Sequence, residues 1–164
     1  VGAAGSLVFG ISHAPSAIDP WVTGGAGNRI EVTYFADNIP GNPDRVGGIW
    51  DLHADMIDGA GTDAIKIVDS LVDAGVHYGG ICSGGGSCLL TGGDRELLDY
   101  FENCELPDGR IGIVYPADPH TTGKLKEIRD AIQQEGSLRF PRGATSPAQI
   151  EDDVTLRSAQ LALF

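Results

Sequence analysis

Basic residues are scarce in this chain. Against 23 Asp and Glu stand 11 Lys and Arg, a formal charge of −12 over 164 residues, and lysine occurs only at Lys66, Lys124 and Lys126. So acidic a surface repels a phosphate backbone and an anionic membrane, which excludes nucleic acid and membrane as expected partners. Long apolar runs are missing as well: nothing approaches the roughly 20 residues of a membrane-spanning helix. The opening "VGAAGSLVFG" lacks the basic start of a signal peptide, although a mature chain after cleavage has the same look. Cysteine is limited to Cys82, Cys88 and Cys104, an odd number and too few for a disulfide scaffold. One bridge plus a free thiol, or three free thiols, are both open. No internal repeat, low-complexity tract or linker is apparent. The length suits one domain, residues 1–164, that buries roughly 70% of its unfolded surface without needing a metal or disulfide.

What is abundant is aspartate and glycine. Asp outnumbers Glu by 16 to 7, as suits a secreted protein or a high-salt setting, and the 24 glycines are spread through turns without a period. The runs "SLVFGIS" (6–12), "RIEVTYFA" (29–36), "HYGGICS" (77–83) and "RIGIVYP" (110–116) read as strands, with another inside "IWDLHADMIDGAGTD" and a last one at "SLRFPRG". Between the first two, Pro15, Pro20 and the glycines of 24–27 leave room for at most a short helix, and "NIPGNPDRV" is a loop by turn chemistry. Ile65, Val68, Leu71 and Val72 share a helical face, with Asp63 in the first turn and Gly75 past the end, which predicts a helix from Thr62 up to Gly75. Leu97, Leu98 and Phe101 predict a second over 95–104, and Leu125, Ile128 and Ile132 a third that stops at Gly136. A capping box at Ser146 to Gln149 starts a fourth. Strands alternating with helices imply crossover connections, hence an α/β fold: a mainly parallel sheet with helices on both faces and a ligand site beyond the carboxyl ends of the strands.

The stretch "HYGGICSGGGSCLL" lies at one such end. A cysteine closing an apolar strand before a Gly-rich turn occupies the position of a nucleophile elbow, where the amides of a following helix lower a thiol's pKa and hold an oxyanion. The same spacing lets Cys88 bridge Cys82. Ser83 and Ser87 are weaker nucleophiles, with no local base. A phosphate cradle requires Gly-Lys-Ser/Thr or the G-x-G-x-x-G spacing, and neither is present. "DLHAD" sets Asp51, His53 and Asp55 at alternating positions, on one side of a strand, a pattern shared by a metal site and by an ordinary exposed strand; the expectation is no metal and no cofactor. Of His13, His77 and His120, the last is best placed to move a proton because it follows a strand, and Asp19 after an early strand could supply a carboxylate partner.

Four segments carry a resemblance to a known family. "ADMIDGAGTDAIKIVDSLVDAG", "GGICSGGGSCLLTGG", "DGRIGIVYP" and the closing "GSLRFPRGATSPAQIEDDVTLRSAQLALF" resemble the ThiJ/PfpI family of the class I glutamine-amidotransferase-like superfamily. That resemblance implies a flavodoxin-like three-layer sandwich, Cys82 as nucleophile, an oxyanion pocket from Gly59, Gly61 and the Ser83 amide, and Asp19 as acidic partner. His120 stands where no family histidine matches. The resulting expectation is a cysteine-dependent hydrolase or lyase acting on a small carbonyl or amide substrate, a cytoplasmic setting, and pairing into a homodimer by analogy. The alternative is a secreted acidic non-catalytic α/β protein, a toxin, effector or inhibitor subunit, with a disulfide in the Gly-rich loop. The oxidation state of Cys82 separates the two.

Overall fold

In the computed structural model the described residues are 15–45, 47–91, 94, 95, 97, 101–118 and 126–134. They form seven strands: β1 (Ser16–Gly24), β2 (Ile30–Asp37), β3 (Ile49–Asp58), β4 (Lys66–Tyr78), β5 (Glu102–Glu105), β6 (Ile111–Ala117) and β7 (Glu127–Ile132). Within each sheet neighbouring strands pair antiparallel, in the order β1-β2-β3-β4 in the first and β5-β6-β7 in the second, and an isolated parallel bridge, His77 to Asp118, links the two. The expected parallel α/β sandwich, flavodoxin-like or otherwise, is therefore not the fold. Among the described residues the only α-helix is the four-residue α1 (Cys88–Thr91), and short hairpins take the place of helical crossovers.

The helix expected from Thr62 up to Gly75 is, from Lys66 on, the strand β4. Ile65, Val68, Leu71 and Val72 fit a helical stripe by spacing, but Ile67, Val68, Val72 and Val76 are β-branched and stiff at χ1, and pairing along β3 decides the conformation. β4 is an edge strand whose register shifts twice opposite Trp50, Leu52 and His53. These shifts break the period-two alternation that would have marked it as a strand. Gly75, read as a helix stop, sits at φ 66 and donates its amide to Asp51 Oδ1 at 2.7 Å. Likewise the third expected helix is β7 over its middle, held by β6. The segment expected to hold at most a short helix is β1, which crosses Pro20 at a bulge with Asp19 at φ 51. An edge strand tolerates a proline where the ladder asks for no donor. β2, β3 and β6 follow expectation. "HYGGICS" is a strand only through Tyr78, ended by Gly79 at φ 105. The expected strands at 6–12 and 137–143 and the helix after Ser146 lie outside the described residues; of the helix expected over 95–104, residues 96 and 98–100 lie outside them, and its end, from Glu102, is instead the strand β5.

The sheets pack face to face. Phe35, Trp50, Leu52, Ala54 and Val76 of the first meet Phe101, Ile111, Ile113, Tyr115 and Ala117 of the second in one buried cluster, with Ile81 and Leu97 from the connection between them. At about 25 cal/mol per Å² of apolar surface, this cluster is the main stabilising element. β2 is buried on its other face too, where Val32, Tyr34, Ala36 and Ile57 form a second cluster. A polar seam crosses the first interface: Asn103 Nδ2 donates to Glu31 Oε2 and, at 2.6 Å, to Thr33 Oγ1, Thr33 donates to Glu31 Oε1, and Thr23 Oγ1 donates to Asn103 Oδ1. At the far edge Tyr115 and Arg129 both reach Asp73 Oδ2, at 2.9 and 2.6 Å.

The chain does repeat itself. β2 with its preceding residue reads Arg-Ile-Glu-Val-Thr-Tyr-Phe-Ala-Asp from Arg29, and β6 reads Arg-Ile-Gly-Ile-Val-Tyr-Pro-Ala-Asp from Arg110. The hairpins match in detail. Asn28 and Gly109 both have positive φ, 63 and 87; Gly25 N donates to Arg29 O as Leu106 N does to Arg110 O; and Thr23↔Glu31 corresponds to Cys104↔Gly112. Tyr34 pairs with His53 as Tyr115 pairs with Arg129. The repeat escapes a reading for periodicity because only one side of each strand is shared, and the loop to the third strand differs in length between the two units.

Candidate functional site

The connection from β4 to β5 carries the Gly-rich stretch. Gly79 O accepts the Trp50 indole at 2.7 Å, Gly79 N donates to Gly48 O, and Ile81 N donates to Pro43 O at 2.8 Å, so the chain leaves the sheet edge pressed against the 42–45 turn. Gly80 is required there: a Cβ would lie 2.7 Å from the Asp44 carbonyl oxygen. Cys82 N then donates to Asp94 O, and the Ser83 amide and hydroxyl both donate to Asp44 Oδ1 at 2.9 and 3.2 Å. A 3-10 turn, Gly85–Ser87, runs into α1. Cys82 and Cys88 are joined by a disulfide with Cα atoms 5.8 Å apart, both largely buried, and Arg95 Nη1 holds Gly85 O at 3.1 Å. The loop is thereby fixed at both ends. Beyond the bridge Leu89 and Leu90 stand out, 82% and 90% exposed.

The chain matches no family model, no curated protein and no solved structure. Bridged to Cys88, the Cys82 sulfur is no thiolate, and the Ser83 amide is already engaged by the Asp44 carboxylate. Asp19 lies on β1, the edge opposite the β4 edge from which the loop departs. Gly59 and Gly61, at φ 76 and 80, shape the β3–β4 turn, which the thirteen residues of β4 separate from Cys82. His13 and His120 lie outside the described residues. His77 is buried with Nε2 3.8 Å from Asp94 Oδ2. Among the described residues, Asp19, Gly59 and Gly61 are thus not brought together with Cys82. The third cysteine, Cys104, is a free thiol exposed on β5.

"DLHAD" does alternate as expected, placing Asp51, His53 and Asp55 on one face of β3. There Tyr34 stacks on His53 with centroids 5.6 Å apart, His53 Nδ1 meets Asp69 Oδ1 at 2.8 Å, and the Tyr34 hydroxyl donates to Asp55 Oδ1 at 3.3 Å. Burial, then a hydrogen bond shared with Asp69, pushes Asp55 up to about 7. Burial opposes a charge on His53, but the hydrogen bond and field of Asp69 raise it overall. Among the described residues no three such groups are arranged to hold a metal ion. The contact that reading in one dimension misses is Asp69, which only the β3–β4 register brings opposite Asp55. Glu31 is likewise pushed up to about 7, chiefly by burial in the polar seam between the sheets.

Proposed function

We propose that the protein is a non-catalytic recognition protein of an oxidising compartment, with the disulfide-closed loop 79–91 as its binding element for an apolar partner surface. The observation that carries this reading is the pairing of covalent closure with exposure. Cys82–Cys88, the Asp44 clamp on Ser83 and the Arg95 contact order the loop before it meets anything, and Leu89 and Leu90 remain outside. A leucine moved from water into an apolar site contributes about 1.5–3 kcal/mol. A loop already ordered loses little conformational freedom on binding. A stable disulfide suits a secreted or extracytoplasmic setting, and the acidic surface favours solubility there.

Two measurements test this. Thiol titration of the native, unreduced chain should find one free thiol, Cys104; three would restore a Cys82 thiolate and end the proposal. Retention on a phenyl-substituted matrix should fall for Leu89→Asp and Leu90→Asp relative to the parent chain, with folding checked by circular dichroism. Unchanged retention in both variants also counts against it.

A further inference from the structure

The two repeat units stack head to tail. In the second sheet the stripe Ile111, Ile113, Tyr115 and Ala117 faces the first sheet and forms its core with Phe35, Leu52 and Ala54. In the first sheet the corresponding stripe, Ile30, Val32, Tyr34 and Ala36, lies on the face turned away from that interface, in the separate cluster with Ile57. Like faces therefore point the same way, and each interface joins the stripe of one unit to the opposite face of the next.

The opposite face of the second unit follows by register. Phe35 pairs with Leu52 as Pro116 pairs with Ile128, Glu31 with Met56 as Gly112 with Ile132, and Val114 stands where Thr33 does. In the first unit this face is covered by the second sheet. In the second unit Val114, Ile128 and Ile132 are 47%, 63% and 40% exposed, with the Cys104 thiol beside Gly112 on the same face.

We infer that the Val114–Ile128–Ile132 face of the second sheet is the seat of a further β-sheet of the same repeat, one whose second strand carries the stripe Ile-x-Ile/Val-x-Tyr-x-Ala. The established interface between the two sheets continues in the same direction onto this face. A second copy of the chain does not offer the stripe, since its Val32 and Tyr34 are buried. The chain path agrees: it leaves the first sheet at the β4 edge and returns to place β5 against β1, Thr23 to Asn103, at the other edge. Radial arrays of antiparallel sheets are connected in this way.

The probe is a head-to-tail-cyclised synthetic peptide of residues 21–37, its hairpin established by cross-strand nuclear Overhauser effects. It is titrated into the full chain carrying labelled Ile, Leu and Val methyls, up to about 1 mM, where even a weak fit registers. The Val114, Ile128 and Ile132 resonances should shift and saturate while those of Leu89 and Leu90 stay in place, and alkylation of Cys104 should slow about tenfold as its exposure is lost. Ile128→Asp, at an exposed position, should abolish the shifts in a folded chain. No shift with the folded hairpin overturns the inference. So does a concentration-dependent shift without it, which would make a second copy the occupant.

Discussion

Replacing Glu31 by Gln isolates the contribution of one buried carboxyl to stability. In the folded chain Glu31 holds its proton up to about pH 7, and in the unfolded chain only to about 4.5. Between those values the folded state carries the extra proton, so stability that is complete below pH 4.5 falls as pH rises and is lost above pH 7. At 1.36 kcal/mol per unit this amounts to about 3 kcal/mol. Burial is nearly complete, so solvent does little to reduce it. Gln removes the ionisable group and keeps the shape. Its oxygen can accept from Asn103 Nδ2, and its amide can donate to Thr33 Oγ1, whose hydroxyl is free to turn. Urea unfolding of both chains at pH 5, 6, 7 and 8 reads the effect. Most of the difference falls between pH 5 and 7: over the whole range the parent should lose about 2.5 kcal/mol more than Glu31→Gln, the slope that remains belonging to Asp55 and His53, whose pKa values are raised in the same sense. Parallel curves for the two chains would refute the assignment of the raised pKa to Glu31.

Reducing Cys82–Cys88, which closes a loop with sequence separation 6, should lower unfolding stability by about 2 kcal/mol through chain entropy, measured by urea titration with and without a phosphine reductant. Gly80→Ala drives a Cβ to 2.7 Å from the Asp44 carbonyl oxygen; a cost of about 1–3 kcal/mol and faster reduction of the disulfide by thiols are expected. Asp44→Ala removes the acceptor of the Ser83 amide and hydroxyl, and amide exchange at Ser83 should quicken while that of β2 stays unchanged.

Local chemistry made parts of this molecule legible. "RIEVTYFA" and "RIGIVYP" are β-branched and bounded by turn residues, and both are strands. "DLHAD" alternates because β3 does, and the spacing of Cys82 and Cys88 allowed the bridge that forms. β4 and β7 were not legible. Each is an edge strand, so one side pairs and little else forces alternation; Ile67 and Leu71 stay exposed on β4, as Ile128 does on β7. Their apolar residues fall at helical spacing, and only the neighbouring strand overrides it. Helices at those two places imply crossovers and a parallel sheet, and with them a site at the carboxyl ends of strands. The register that sets Asp69 against Asp55, and the seam that buries Glu31, join residues far apart along the chain and carry no local signature.

The Asn103 seam also bears on how the two sheets could go wrong. Apolar stripes alternate with a period of two, so sliding one sheet along the other by two residues, roughly 7 Å, would exchange one set of Ile, Val and Tyr contacts for a similar set at small loss. Hydrophobic burial alone barely distinguishes the two alignments. Asn103 distinguishes them sharply, because it spans Glu31, Thr33 and Thr23 at once. A slipped pair would strand a carboxyl and an amide in the dry interior, at several kcal/mol. The seam then acts as a key whose worth lies less in the native energy than in the penalty on every neighbouring alignment.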